Sequence, residues 1–241
     1  SVATGLDFTF NSVVVGKGTN SVAGNTVLGQ SALDAAVTGD NNTAIGKFAL
    51  TANTSGFSNT AVGESALADN TTGTLNTGIG RDALNFNTSG QKNTAVGERS
   101  LQKNTTANNN TAIGFACLAE NTTGTGNTSV GEGSLDATTT GSYNAALGNG
   151  ALGSNTTGNT NCAVGYQALF ANTTGINNVA VGMQSFDGST TASNCTAVGQ
   201  GALGGSNTGD FNVAVGTASL PANTSGANNT ALGTYALYTN S

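Results

Sequence analysis

Residues 59–75 read NTAVGESALADNTTGTL, and the next seventeen, 76–92, read NTGIGRDALNFNTSGQK. The two segments share a frame: Asn first, a short β-branched or aliphatic run, Gly fifth, Leu ninth, and an Asn-Thr turn after it. Taking the fifth residue as position 0 and working outward, the same glycine recurs from Gly29 and Gly46 to Gly216 and Gly233, always seventeen residues apart. Asn stands at −4 in twelve of thirteen units, with Cys195 the exception, and Leu stands at +4 in twelve, with Phe186 the exception. A period held without insertion is the signature of an array in which each unit packs only on its neighbours. Seventeen residues is shorter than the helical and leucine-rich repeats, which leaves a β-solenoid.

Composition agrees with this. Asn, Thr and Gly number 33, 39 and 36 of 241 residues, while only 7% are charged and there is a single proline, Pro221. Such a chain orders itself through repetition rather than through a large apolar core. The sequence therefore predicts an all-β parallel β-solenoid, or β-roll, of 17-residue coils with two short strands per coil. Residues 1–24 are expected to form a divergent cap, with Ser12-Val13-Val14-Val15-Gly16 an off-register copy of the motif. Residues 25–241 are expected to form one solenoid of thirteen repeats.

Within a coil, alternate residues of a strand face opposite sides. The position at −1 is always Val, Ile or Leu, which suits a buried pleated surface. On that basis Val62, Val96 and Val164 are expected in the core beside Leu67, Leu101 and Leu169. The small residues on the other face, Ala61 with Gly63, Ala95 with Gly97 and Ala163 with Gly165, are expected to form an outer face against which another chain packs closely. Side-by-side association of several copies follows, with three the leading count.

The pentapeptide NTAVG followed by xxAL resembles the head repeats of trimeric autotransporter adhesins. It is still more similar to the NTAVGxxALxxNTTGxx arrays of tailed-phage fibres and environmental bacterial surface proteins. The resemblance covers roughly residues 10–241 and implies a left-handed parallel β-roll in a homotrimer, serving as shaft or head scaffolding. The period here is longer than that of the adhesin heads, and no heptad stalk follows.

Histidine and tryptophan are absent, which removes Ser-His-Asp, Cys-His and His-metal chemistry. No pair of carboxylates recurs at catalytic spacing, and no glycine run matches a nucleotide-binding loop. Six basic residues against twelve acidic ones form no cluster that would neutralise a phosphate backbone, so nucleic acid is not an expected partner. No apolar stretch is long enough to insert into a membrane. Neither an enzymatic activity, a cofactor nor a metal is expected. The three cysteines, Cys117, Cys162 and Cys195, occupy different repeat positions and read as small replacements for Ser, Thr or Asn.

Thirteen Asn-x-Ser/Thr sequons occur, eight of them in the NTT/NTS turn: Asn53, Asn70, Asn87, Asn104, Asn121, Asn155, Asn172 and Asn223. Read as exposed turns, these are the candidate glycosylation sites. Position +1 carries Lys47, Glu64, Arg81 and Glu98 in successive coils, an alternating-sign edge. The variable positions supply aromatics, among them Phe48, Phe86, Phe115, Tyr166, Phe170 and Tyr235. Aromatics on a polar repeat can stack on sugars, but their scatter favours packing between neighbours.

The expected role is a non-enzymatic, extracellular structural and adhesive fibre segment, at a cell surface or on a virion. It would self-associate as a homotrimer and contact cell-surface glycans through repeated loops. The alternative is a subunit of a polymerising extracellular filament, with solenoids stacked end to end and glycosylated turns.

Overall fold

The structure, a computed structural model, describes residues 7–239. It is a parallel β-solenoid with no α-helix among the described residues. The chain divides into two compact units, residues 1–123 and 124–241.

The first unit opens with a hairpin of β1 (Phe8–Phe10) and β2 (Val13–Gly16). Its second strand pairs antiparallel with β3 (Thr26–Gly29), the first strand of the repeat. From there β4 (Thr43–Ile45), β5 (Thr60–Val62), β6 (Thr77–Ile79), β7 (Thr94–Val96) and β8 (Thr111–Ile113) stack in parallel. The second unit repeats the arrangement from β9 (Thr128–Val130) to β15 (Thr230–Leu232). Every pairing between repeats joins residues seventeen apart, such as Thr43 with Thr60, Ala44 with Ala61 and Ile45 with Val62. Equivalent side chains therefore form columns within each unit.

Each coil contributes one regular strand of three or four residues, not the two expected from the sequence. The Leu-bearing side is a tight corner in which positions +2 and +4 adopt positive φ, 56° at Ser65 and 52° at Leu67. This conformation aims successive N–H groups along the stacking direction. Ser65 N–H donates to Lys47 O of the preceding coil at 2.9 Å, and Leu67 N–H to Ala83 O of the following one at 2.9 Å. Left-handed backbone costs a non-glycine residue about 1–2 kcal/mol. Complete pairing of the corner and burial of the Leu offset that cost.

Inside and outside of the strand are the reverse of the expectation. The residue at −2 fills the interior: Ala61, Ala95 and Ala163 are fully buried. Val62, Val96 and Val164, expected in the core, are only partly covered and face outward. Ile79 and Ile113, at the same position, are 39% and 41% exposed. Leu67, Leu101 and Leu169 are fully buried, and the inward strand residue that accompanies this large side chain is Ala in ten of thirteen repeats, with Val27, Gly78 and Ser129 at the others. The coil interior is close-packed, so volume rather than β-propensity decides which face turns in. Gly63, Gly97 and Gly165 likewise belong to contacts within the chain. They sit at φ of 137°, 128° and 133°, and a Cβ on any of them would run into the backbone of the glycine in the next coil.

This packing sets a pair of expected outcomes. Ala95→Val overfills the interior and lowers stability by about 1–3 kcal/mol. Val96→Thr, one residue along but on the outer face, costs less than about 1 kcal/mol. Urea denaturation of the two variants checks the order, and the opposite order would refute the assignment of faces.

Candidate functional site

The two asparagines of each repeat do not face solvent. Asn59 at −4 and Asn70 at +7 are fully buried, and both donate from Nδ2 to the carbonyl of Gly73, at 2.9 and 3.1 Å. The same convergence occurs at Ala107 O, from Asn93 at 2.8 Å and Asn104 at 3.2 Å, and at Gly175 O, from Asn161 at 2.8 Å and Asn172 at 3.2 Å. These repeats are thus closed on themselves by two amides gripping one carbonyl. The remaining valences link coils. Asn70 Nδ2 donates to Asn53 Oδ1 at 2.8 Å, Asn87 to Asn70 at 2.7 Å and Asn104 to Asn87 at 2.7 Å. In the other column, Asn59 N–H donates to Asn42 Oδ1 and Asn76 N–H to Asn59 Oδ1, each at 3.0 Å. Buried amides paired in this way stabilise where unpaired ones would destabilise.

These contacts overturn the glycosylation assignment. Asn53, Asn70, Asn87, Asn104, Asn121, Asn155, Asn172 and Asn223 are 0–3% exposed. For seven of them, all but Asn121, the Nδ2 that would carry a glycan donates to the carbonyl three residues on, from Gly56 for Asn53 to Gly226 for Asn223. Asn121 donates its Nδ2 to Asn104 Oδ1 at 3.0 Å. The turn's backbone is at the surface, but its first side chain is the interior clasp.

Substitutions mark the tolerance of the columns. Cys195 takes an Asn position: its Sγ donates to Gly209 O at 3.5 Å and accepts from Asn212 N–H at 3.5 Å. Burial pushes this thiol up from its ordinary pKa, which keeps it protonated and unreactive. Cys117 is also buried, and Cys162 is partly exposed on the outward face of its strand. At Ser189 the side chain is too short to span the gap, and both Ser189 Oγ and Asn172 Oδ1 are buried without a partner.

Three surfaces remain. The outward face of the strands presents Val, Ile or Leu at −1 throughout, and at −3 Thr in the first unit but Ala145, Cys162, Val179 and Val213 among the residues of the second. In the first unit Thr26, Thr43, Thr60, Thr77, Thr94 and Thr111 form an unbroken row, and the apolar row beside it runs from Phe8 and Val15 through Leu28 and Ile45 to Ile113. The edge at +1 forms one ion pair, Arg81 with Glu98, and Lys47 instead lies 4.7 Å over the Phe48 ring. The edge at +6 carries Asp69, Phe86, Lys103 and Glu120, and around Phe86 it opens a shallow groove of about 450 Å³ lined also by Thr88, Thr105 and Thr122. That groove went unread in the sequence because only the fold shows that one aromatic is flanked by charges seventeen residues away on either side. No group of three or more potential metal ligands occurs among the described residues.

No known protein family, curated protein or solved structure matches the chain.

Two outcomes follow from the buried columns. Ser189→Asn supplies the missing amide to Asn172 and raises stability by about 1 kcal/mol, read as a higher urea midpoint; a fall would mean the turn cannot admit the side chain. When the chain is secreted from a glycosylating host, folded material carries no glycan at the eight buried asparagines. Glycopeptide mass spectrometry of that fraction checks this.

Proposed function

We propose that this chain is a non-enzymatic structural and adhesive segment of an extracellular fibre, of the tail-fibre or adhesin-head kind, in which three copies associate side by side and contact cell-surface glycans. The observation that carries the reading is the outward face of the strands. In the first unit it is a regular row of Thr beside a row of Val, Ile and Leu, held on the strand ladder and left partly open in a single chain. A contiguous apolar surface of this extent marks an interaction site. Because successive repeats are in register, the face repeats from coil to coil within each unit, which suits association of identical copies. The Ala column, being interior, has no part in that contact.

The interior supports the absence of catalysis in this reading. Its polar groups are amides whose hydrogen bonds are spent on closing and stacking the coils. The end-to-end filament is less favoured, because the antiparallel hairpin of β1 and β2 covers the edge of the first coil to which a parallel strand would add.

Light scattering of the purified chain tests this. A particle of roughly 70 kDa, three times the 23.4 kDa chain, is expected. The double variant Val62→Lys/Val96→Lys keeps the circular dichroism of the parent and falls to a single chain, since charges on a buried apolar interface are strongly unfavourable. A monomeric parent protein, or a variant that remains trimeric, would contradict the proposal.

A further inference from the structure

We infer that four asparagines at position −5, Asn41, Asn109, Asn194 and Asn228, are acceptor sites for N-linked glycans. The inference rests on the extracellular part of the proposed function and is independent of the association of copies.

Five of the thirteen sequons lie outside the Asn-Thr turn. One of them begins at Asn127, at −4, which is fully buried and donates its Nδ2 to Gly141 O at 2.9 Å, so it is closed to a glycan like the eight in the turn. The other four read Asn41-Asn42-Thr43, Asn109-Asn110-Thr111, Asn194-Cys195-Thr196 and Asn228-Asn229-Thr230. Each begins at −5, and all four of these asparagines are exposed. The reason is local. The residue at −4 belongs to the interior column, and the chain enters it through a left-handed residue at −5, with φ of 56° at Asn41, 59° at Asn109, 58° at Asn194 and 60° at Asn228. Asn takes that conformation more readily than other residues with a side chain. The backbone N–H at −5 is used along the stack, from Asn109 to Gln91 O at 3.1 Å, from Asn194 to Ile176 O at 2.9 Å and from Asn228 to Asp210 O at 3.1 Å. The side chain is left at the surface.

These amides have what a glycan acceptor needs. Among the described residues, none of the four commits its Nδ2 to a hydrogen bond; Asn194 only accepts, at Oδ1 from Asn177 Nδ2 at 3.2 Å. The threonine two residues on completes the pattern by which the transferring enzyme selects its amide. In the transfer, Nδ2 forms a bond to the anomeric carbon of a lipid-linked oligosaccharide diphosphate. The bond from that carbon to the diphosphate oxygen breaks, the lipid diphosphate leaves, and the nitrogen loses one proton. The finished glycan has room. The same position holds Leu75, Tyr143 and Phe211 in other repeats, each exposed, so the fold already carries bulk outward from −5. Asn41 and Asn109 stand four coils apart in the first unit, about 19 Å at the ladder interval, and Asn194 and Asn228 two coils apart in the second, about 10 Å. Asn177 provides an internal comparison: it is exposed at −5 with φ of 58°, but Val179 stands where the threonine would be.

Secretion of the full chain from yeast tests the inference. Glycans on the folded fraction are released with peptide N-glycosidase in heavy-oxygen water, which leaves a labelled aspartate at each former site, and peptide mass spectrometry maps the label. Label is expected at two or more of Asn41, Asn109, Asn194 and Asn228 and at no other asparagine. Val179→Thr completes a sequon at Asn177 and adds label there. The combined variant Asn41→Gln/Asn109→Gln/Asn194→Gln/Asn228→Gln loses all glycan and keeps the circular dichroism of the parent, because it alters only exposed side chains. Label at fewer than two of the four, label at Asn177 in the parent chain, label at a buried asparagine of folded material, or none at Asn177 in Val179→Thr would each overturn the inference. A glycosylated monomer would keep the acceptor sites and lose the association; an unmodified trimer would do the reverse.

Discussion

The interaction on which everything else depends is the grip of two buried asparagines on one backbone carbonyl in the repeats that carry both. A seventeen-residue coil has too little apolar volume to close by hydrophobic burial alone: one Leu and a few alanines face inward. Asn59 and Asn70 meeting at Gly73 O replace the missing core with directed bonds in a dry interior, where an amide hydrogen bond is strongest and an unpaired one most costly. Because the spare valences of the same amides reach the next coil, closure of one repeat and stacking of the next are a single event. That coupling accounts for the regular period. Where the turn slips by one residue, at Asn207, the amide column still holds, with Asn223 Nδ2 reaching Asn207 Oδ1 at 2.8 Å.

The narrow interior then dictates the surface. Once Leu fills the corner, the facing strand turns in Ala, Ser or Gly in every repeat after the first, where Val27 takes the place, and the β-branched residues at −1 point out. The chain therefore carries on its outside the apolar residues that a larger protein would bury, and an apolar face of that regularity is the physical basis for the proposed association. Rigidity has a second consequence. Side chains at variable positions are held at ladder spacing, so a chance sequence such as Asp69, Phe86 and Lys103 becomes a fixed constellation rather than a fluctuating one.

The repeat, the parallel stacking and the burial of Leu at +4 were legible in the sequence, because each follows from spacing. The direction of the strand faces was not. Alternation divides a strand into two sides without saying which is inside, and the apolar character of Val62 pointed to the wrong one. The columns held the better clue: Ala stands at −2 in ten of thirteen repeats because the stacked interior favours a small volume, whereas −1 varies among Val, Ile and Leu as an open surface permits. The sequons misled for a related reason. Asn-Thr-Thr-Gly has the composition of an exposed turn, and its Thr and Gly backbone is one, but Asn70 itself points inward to close the coil. The single strand per coil, in place of two, also lay beyond spacing arguments, since left-handed Leu67 is stable only through its bond to the following coil.

The central claim is that buried asparagine side chains, not apolar burial, close and join the coils. Hydrogen exchange of the asparagine Nδ2 protons, followed by nuclear magnetic resonance on the folded chain, tests it most directly. The account predicts that the side-chain amides at −4 and +7 exchange as slowly as the strand backbone N–H groups beside them, while exposed ones such as Asn109 and Asn228 exchange at the rate of free amides. Rapid exchange at Asn59, Asn70, Asn87 and Asn104 in a chain whose backbone remains protected would contradict it.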